Sequence, residues 1–332
     1  MLNVGVIGCG STAKQKYFPG IIKNPDINLV AVYDVVHKLA IDASMLYGVK
    51  SYNSIDDIIG DDDIDAFCVC TPNSTHAEIV ISAIKAGKHV LCEEPISSCL
   101  QSALDMVEVS RQSQKVAMIA HTQQYMPIYR RAKEIIDTGM LGKVLNFRTV
   151  HATDGPIYFD MNDVWSFRKE SYVYGVALDL GVNRIALLNY LLGCNISNVV
   201  AYKTVHYKES HNDETIGIVD GLYCAMKAYW GGITGSFTIN WSNYGGFEDS
   251  FVFQCENGFL KVVNGMIETV LRDGSTINHT LSGQSDSPGI IDIFAEAVLR
   301  GGVYVTLKDS YKALHTIIAS LESSAINRTV II

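Results

Sequence analysis

Three short stretches gather residue types that could do chemistry on a small molecule. Residues 8–13 read GCGSTA, a G-x-G-x-x-A. In such a turn Gly8 permits a tight reversal, Gly10 lets the backbone approach a pyrophosphate, and Ala13 allows close packing of helix on strand, with Ser11 and Thr12 inside the same cradle. Asp34 follows some 24 residues after Gly10, where a carboxylate accepts hydrogen bonds from an adenosine ribose. It would also repel a ribose phosphate, and Val35 and Val36 supply no cation, so NAD is favoured over NADP. The bland alternative is an unrelated glycine turn with a helix-capping aspartate.

The second stretch is CTPNSTH at 70–76 and the third is LCEEPIS at 91–97. Each ends an apolar run. Ligands of parallel sheets bind beyond the carboxyl ends of the strands, which sets Thr71, Pro72 and Asn73 beside a cofactor, near its ribose and nicotinamide. Thr71 or Asn73 could equally cap the helix that follows, and both roles can hold together. His76, in the first turn of that helix, is either a cofactor neighbour or a structural residue. Glu93 belongs to the same strand-end surface, and Glu94 next to it poses the question of what a second carboxylate does there.

The elements that must position these residues alternate. VGVIG, LVAVYD, AFCVC, HVLC and VAMIA read as strands, and their continuous apolar character suits strands covered on both faces. AKQKYFPGIIKN, HKLAIDASMLYG, HAEIVISAIKAG and CLQSALDMVEVSRQ between them carry helical spacing, two of them closing at Gly48 and Gly87. This is the pattern of a doubly wound parallel sheet over residues 1–121. From 122 the texture changes. YMPIYRRAKEIIDTGMLG and VALDLGVNRIALLNYLLG read as helices, residues 198–281 as β-rich runs punctuated by NG, DG and GG pairs, and two helical runs close the chain. The expectation for 122–332 is an α/β domain with a large, open, mostly antiparallel sheet, its last helices packing back on the first domain. The uncovered face of such a sheet calls for a partner, so a homodimer or homotetramer through it is expected.

Composition narrows the function. The 332 residues carry 48% hydrophobic and 18% charged side chains and a net charge of −9, which fits two globular domains and disfavours nucleic-acid or anionic-membrane surfaces, where clustered cations are needed. No uncharged apolar run approaches a membrane span, and the N-terminus enters a strand without a leader-like segment, so a cytoplasmic protein is expected. Eight scattered cysteines without a CxxC pair read as reduced thiols, and no metal site is expected.

In order along the chain, GVIGCGSTA, CTPNSTH, HVLCEEPIS, the GMLGKV turn and YGVALDLGVNRIALLNYLLG resemble the Gfo/Idh/MocA oxidoreductases, the glucose-fructose oxidoreductase and inositol dehydrogenase family. The resemblance covers nearly the whole chain. It implies a Rossmann domain followed by an α/β domain, and hydride transfer between NAD(P) and a sugar, polyol or related carbonyl. It also implies catalytic positions, and there the chain departs from its family. Where the family pattern is Glu-Lys-Pro this chain has Glu93-Glu94-Pro95, and the family's Asp-x-Gly-x-His aligns with Asp179 through Asn183. The aspartate is kept; the lysine is Glu94 and the histidine is Asn183. Asparagine has no proton to transfer, and an ionised glutamate opposes a developing alkoxide that lysine would stabilise.

Three readings follow. Glu94 and Asp179 could share the acid–base work, two carboxylates in a cleft pushing one pKa upward. Another residue could supply the proton: Tyr158, Tyr172, Tyr174, His121 and His151 are the candidates. Or the protein binds NAD and a sugar-like ligand without turnover, as a sensor, with a transient-oxidation glycosidase or lyase as a variant. Two carboxylates without the lysine favour an amino-sugar-like or otherwise cationic substrate. Gln123 and Tyr125, read as the start of the helix leading out of the first domain, and Arg168, with Tyr158 and Tyr172, are the remaining substrate-contact candidates.

Overall fold

The continuous apolar runs of the first third form a parallel sheet in this computed structural model, which describes residues 1–155, 174–206, 208–209, 215–216, 218–279, 288–302 and 304–332. Its strands are β1 (Leu2–Ile7), β2 (Ile27–Tyr33), β3 (Lys50–Ser51), β4 (Ala66–Val69), β5 (His89–Cys92) and β6 (Ala117–Ile119). They lie in the order β3-β2-β1-β4-β5-β6, every pair parallel. That order reverses direction at β1 and β4, the switch point at which doubly wound sheets hold nucleotides. Crossovers are made by α1 (Phe18–Lys23), α2 (His37–Tyr47), α3 (Ile55–Ile59), α4 (His76–Lys85) and α5 (Leu100–Arg111). β4 is buried along its length, as a strand covered on both faces must be. Gly48 ends α2 at φ +68°, a left-handed cap that glycine adopts without penalty.

After the glycine turn the chain does not enter an α-helix at once. Ala13–Tyr17 is a wide π-type turn, and α1 follows with Pro19 near its start. Proline has no N–H to donate back into that turn, where the preceding Phe18 N–H reaches the Ala13 carbonyl.

The second sheet contains a strand that sequence periodicity did not single out. Following α6 (Pro127–Asp137), β7 (Val144–Ala152) lies near the middle of nine strands. It pairs in parallel with β12 (Thr234–Asn240) and antiparallel with β13 (Glu248–Cys255). The helix α7 (Val182–Leu192), preceded by a π-type turn at Ala177–Gly181, leads to β8 (Ile196–Thr204). The short hairpin β9 (Lys208–Glu209) and β10 (Thr215–Ile216) pairs only with itself. Then come β11 (Gly221–Ala228), β12, β13, β14 (Gly258–Val263), β15 (Met266–Leu271) and β16 (Thr276–His279), closed at the far edge by β17 (Val330–Ile331) beside β8. All ladders of this sheet but β7–β12 are antiparallel. Phe147, Phe237, Phe251 and Phe253 are fully buried on its inner side. On the outer side Tyr223 of β11 stands opposite Tyr202 of β8, and both are exposed.

The chain divides into two compact units, Met1–Thr122 with Pro288–Tyr311, and Gln123–Ser287 with Lys312–Ile332. The late segment that counts with the first unit carries α8 (Ile290–Arg300) and the start of α9 (Leu307–Ile326). Gly20 of α1 admits α8 closely: a Cβ there would lie 2.8 Å from Ile291. Among the described residues, no helix is long and apolar enough to cross a membrane, and no cluster of three or more His, Cys, Asp or Glu could hold a metal ion.

Candidate functional site

In the first unit the glycine turn and Asp34 are fastened together. Gly8 sits at φ +94°, and a Cβ on it would come 2.8 Å from the Cys70 backbone. Any other residue would therefore be strained and would push β1 away from β4. At Gly10 a Cβ would meet nothing within 4 Å, so the space above the turn is clear for a ligand. Asp34 accepts a hydrogen bond from the Cys9 N–H at 2.7 Å through Oδ2 and from the Val36 N–H at 2.8 Å through Oδ1. Each carboxylate oxygen keeps a lone pair for a further donor. Ser11 is exposed, Thr12 half-buried and Ala13 buried. Val35, at 88% exposure, and the exposed Val36 follow the aspartate.

In the CTPNSTH turn neither Thr71 nor Asn73 is the helix cap. α4 has Thr75 as its N-cap, without any side-chain cap bond. Asn73 is 2% exposed, and neither its amide oxygen nor its amide nitrogen has a hydrogen-bond partner. A buried amide left unpaired costs roughly 1–3 kcal/mol, so Asn73 serves neither as cap nor as ordinary core. It stands just past the carboxyl end of β4. Thr71 is half-buried and Pro72 exposed on the same turn, and the Thr75 hydroxyl reaches Thr71 Oγ1 at 2.9 Å.

His76 is held between two backbone carbonyls. Its ring is 1% exposed, with Nδ1 3.0 Å from the Pro95 carbonyl oxygen and Nε2 2.8 Å from that of Thr71. It ties the two strand-end turns together. Burial lowers its pKa, opposed by those carbonyls and by the Glu93 charge. Glu93 is also buried, with Oε1 3.5 Å from Lys16 Nζ and Oε2 accepting the Glu94 N–H at 3.1 Å. Lys16, on the turn after the glycines, was not legible as a partner of Glu93. Glu94 itself is half-buried, and the Glu94–Pro95 peptide bond is cis.

In the second unit Asp179 and Asn183 lie four residues apart along the π-turn and α7, both half-buried. The next residue holds that helix in place. Arg184 is 2% exposed, donating to Thr149 Oγ1 at 2.6 Å, to the Val150 carbonyl at 2.9 Å, to the Ser250 carbonyl and to Asp249, with Phe251 stacked 3.6 Å away. Burial raises the Asp249 carboxyl, but His151 and Arg184 outweigh it and bring its pKa down to about 2. Nothing in the arginine's sequence neighbourhood marked it, because its partners lie on β7 and β13.

Gln123 and Tyr125 do not begin a helix: they occupy a 3-10 turn at Thr122–Tyr125, and α6 starts at Pro127. Gln123 keeps a buried, unpartnered Oε1. Of the alternative proton carriers, His121 is buried with Nε2 2.8 Å from Ser310 Oγ. His151 lies 3.5 Å from Asp249 and packs edge-on against Phe247. Tyr174 is half-buried just ahead of the π-turn. Tyr158, Arg168 and Tyr172 lie outside the described residues.

Comparison with known proteins places this arrangement. Residues 2–121 match the oxidoreductase family with an NAD-binding Rossmann fold, and residues 129–261 match the GFO/IDH/MocA C-terminal domain. An uncharacterized protein of Saccharomyces cerevisiae is 28% identical over 304 residues, 88% of this chain and 81% of that protein. The 1,5-anhydro-D-fructose reductase of Ensifer adhaerens is 29% identical over 198 residues, 59% of this chain and 58% of the reductase. Among solved structures, levoglucosan dehydrogenase in complex with NADH and levoglucosan superposes with a TM-score of 0.86 at 23% identity, covering 99% of both chains. With both halves of the chain matched in order, the protein belongs to the Gfo/Idh/MocA oxidoreductase family.

Proposed function

We propose that this chain is an NAD-dependent oxidoreductase that moves a hydride to or from a sugar, polyol or amino-sugar-like substrate with altered acid–base residues. The observation that carries it is Asp34, held by the Cys9 and Val36 N–H groups beneath a glycine turn with clear space above Gly10. A fixed carboxylate at the end of β2, followed by Val35 and Val36, suits the two hydroxyls of an NAD ribose and disfavours an added phosphate. The unpaired Asn73 amide fits the polar edge of the same cofactor. When bound, the dinucleotide supplies or takes up the hydride. Gly8, Gly10, Ser11, Thr12 and Ala13 cradle its phosphates, Thr71 and Pro72 flank its ribose, and Glu93 fixes the main chain of Glu94.

Substrate class follows from Glu94 and Asn183. A carboxylate in the family's lysine position, with Asp179 retained, favours a substrate bearing a positive charge, and Asn183 orients it by hydrogen bonds without exchanging a proton. Anhydrosugar turnover by the reductase and dehydrogenase relatives supports a cyclic polyhydroxylated core. Gln123 and Tyr125 would contribute further contacts. Assembly is through the outer face of the nine-stranded sheet, around Tyr202 and Tyr223, and light scattering after gel filtration tests it. The function is tested by titrating NADH with fluorescence detection, then following absorbance at 340 nm across neutral, acidic and amino sugars. NADH binding with turnover supports an enzyme; binding without turnover by any of them makes it a ligand sensor.

A further inference from the structure

In a chain of net charge −9, two cations of the nine-stranded sheet have no counter-charge. Lys227 of β11 and Arg148 of β7 are both exposed, and neither enters an ion pair among the described residues. They share the outer face. Along β11, Tyr223, Ala225 and Lys227 are exposed while Leu222, Cys224, Met226 and Ala228 are buried, the alternation of a sheet covered on one side. Strand register carries that face sideways: Lys227 stands opposite Asn198 of β8 and Thr234 of β12, and Thr234 opposite Asn146 of β7. Two residues further along, Ser236 stands opposite Arg148. Asn146, Asn198, Lys227, Thr234 and Ser236 line a groove of about 460 Å³, within the roughly 300–1,000 Å³ of small-ligand sites. Among the described residues, no acidic side chain lines it.

An aromatic corner stands at the end of this groove. Lys227 and Thr234 form the last pair of the β11–β12 ladder, and the hairpin tip beyond them carries Tyr229 and Trp230. These residues are 63% and 69% exposed, with ring centroids 5.0 Å apart at 76°. Rings of this size gain from burial, so a pair left in water at a fixed angle marks a contact surface. The tip is fixed by its backbone. The Ala228 N–H donates to the Ile233 carbonyl at 2.8 Å and the Tyr229 N–H to the Asn195 carbonyl at 2.8 Å, while Gly231 and Gly232 turn the chain at φ +76° and +67°. Alternation from Lys227 to Tyr229 puts the tyrosine on the face of the groove.

We propose that this groove binds an acidic saccharide, a short oligomer whose rings carry carboxylates, with Tyr229 and Trp230 as its stacking platform. Each part of the site matches one feature of such a ligand. The apolar C–H face of a sugar ring stacks on the aromatic corner. The Asn146 and Asn198 amides and the Thr234 and Ser236 hydroxyls exchange hydrogen bonds with its hydroxyl groups. Its carboxylates lie on Lys227 and Arg148. A net-negative chain repels an anionic ligand over most of its surface, so two cations without neighbouring acids decide where it docks. The site binds and does no chemistry, and it is independent of the oxidoreductase reading.

The test is calorimetric titration of the full chain with tri-galacturonate and with its methyl ester, which keeps the rings and removes the charges. Wild type should bind the acid about fivefold more tightly than the ester. Lys227→Gln should lose most of that preference, and Trp230→Ala should weaken both ligands by about fivefold. Both residues are exposed, so the melting temperature of each variant should stay within about 2 °C of wild type. Absence of binding by wild type, or binding that neither substitution changes, overturns the proposal. So does light scattering in which wild type is a dimer and either variant a monomer, because a second copy of the chain would then cover the groove. A chain with no turnover in the 340 nm assay loses the oxidoreductase reading and leaves this one standing.

Discussion

His76 Nδ1 lies 3.0 Å from the carbonyl oxygen of Pro95, and the opposite ring nitrogen lies 2.8 Å from the carbonyl of Thr71. One buried imidazole thereby spans the turn after β4 and the turn after β5. A neutral ring donates only one proton, so the two carbonyls compete for it. Replacing His76 by Leu removes the donor, leaves both carbonyls unpaired and costs roughly 1–3 kcal/mol of stability. NADH affinity should fall several-fold as the turns loosen, read by fluorescence titration.

The same ring makes stability depend on pH. Burial holds its folded pKa below the ordinary 6.5, so the unfolded chain binds the proton more readily. Its contribution is complete above about pH 6.5 and is lost as pH falls through the lowered folded value. The urea midpoint of wild type should drop between pH 7 and pH 5 by more than that of His76→Leu. Equal drops in the two proteins would remove His76 as a source of the dependence.

Asp34→Asn keeps the shape of the side chain and removes its charge. Hydrogen bonds to charged groups are worth roughly 1.5–3 kcal/mol, so NADH should bind about 10- to 100-fold more weakly. NADPH should lose less or gain, because the repulsion is gone. An unchanged NADH-to-NADPH preference would place the discrimination elsewhere.

Glu94→Gln tests the cationic-substrate reading. The ratio of kcat/KM for an amino sugar over its neutral counterpart should fall roughly tenfold, the equivalent of about 1.4 kcal/mol. Equal ratios in wild type and variant would mean that Glu94 does not read substrate charge.

Arg184→Ala leaves half-buried Asp249 beside His151 and Tyr129 without its fully buried guanidinium partner. Breaking a buried pair in this way costs roughly 3–5 kcal/mol, seen as a large fall in Tm. Asp249→Asn should be milder at pH 7, and it should abolish the part of acid unfolding that occurs as pH falls from about 4 towards 2, where the wild-type carboxylate at last takes its proton.

The tight turn at Gly8 was legible because a positive φ with no room for a Cβ calls for glycine, a demand that the local sequence carries by itself. The parallel sheet of the first unit was legible in its continuous apolar runs. Gln123 and Tyr125 were misplaced by one turn because Pro127, preferred at the first helical position, sets the helix start after them. β7 was missed because its partners β12 and β13 are far along the chain, and burial in the middle of a sheet is decided by neighbours that no local period contains. The groove beside Lys227 was hidden likewise: it exists only because β8, β11, β12 and β7 lie side by side.

The return of residues 288–311 to the first unit sets an order of events during synthesis. The strands from β1 to β6 leave the ribosome early, but Ile291 that packs on Gly20, Asp292 that accepts from Asn24 at 2.6 Å, and Thr306 that bridges to Met118 come nearly two hundred residues later. At about 5–20 residues per second that is a wait of roughly 10–40 s. Through that interval the nascent cofactor unit carries uncovered apolar surface at Gly20, while the second sheet, except for its late edge strand β17, forms behind it. Chaperone contact should therefore concentrate on α1 and end when α8 arrives.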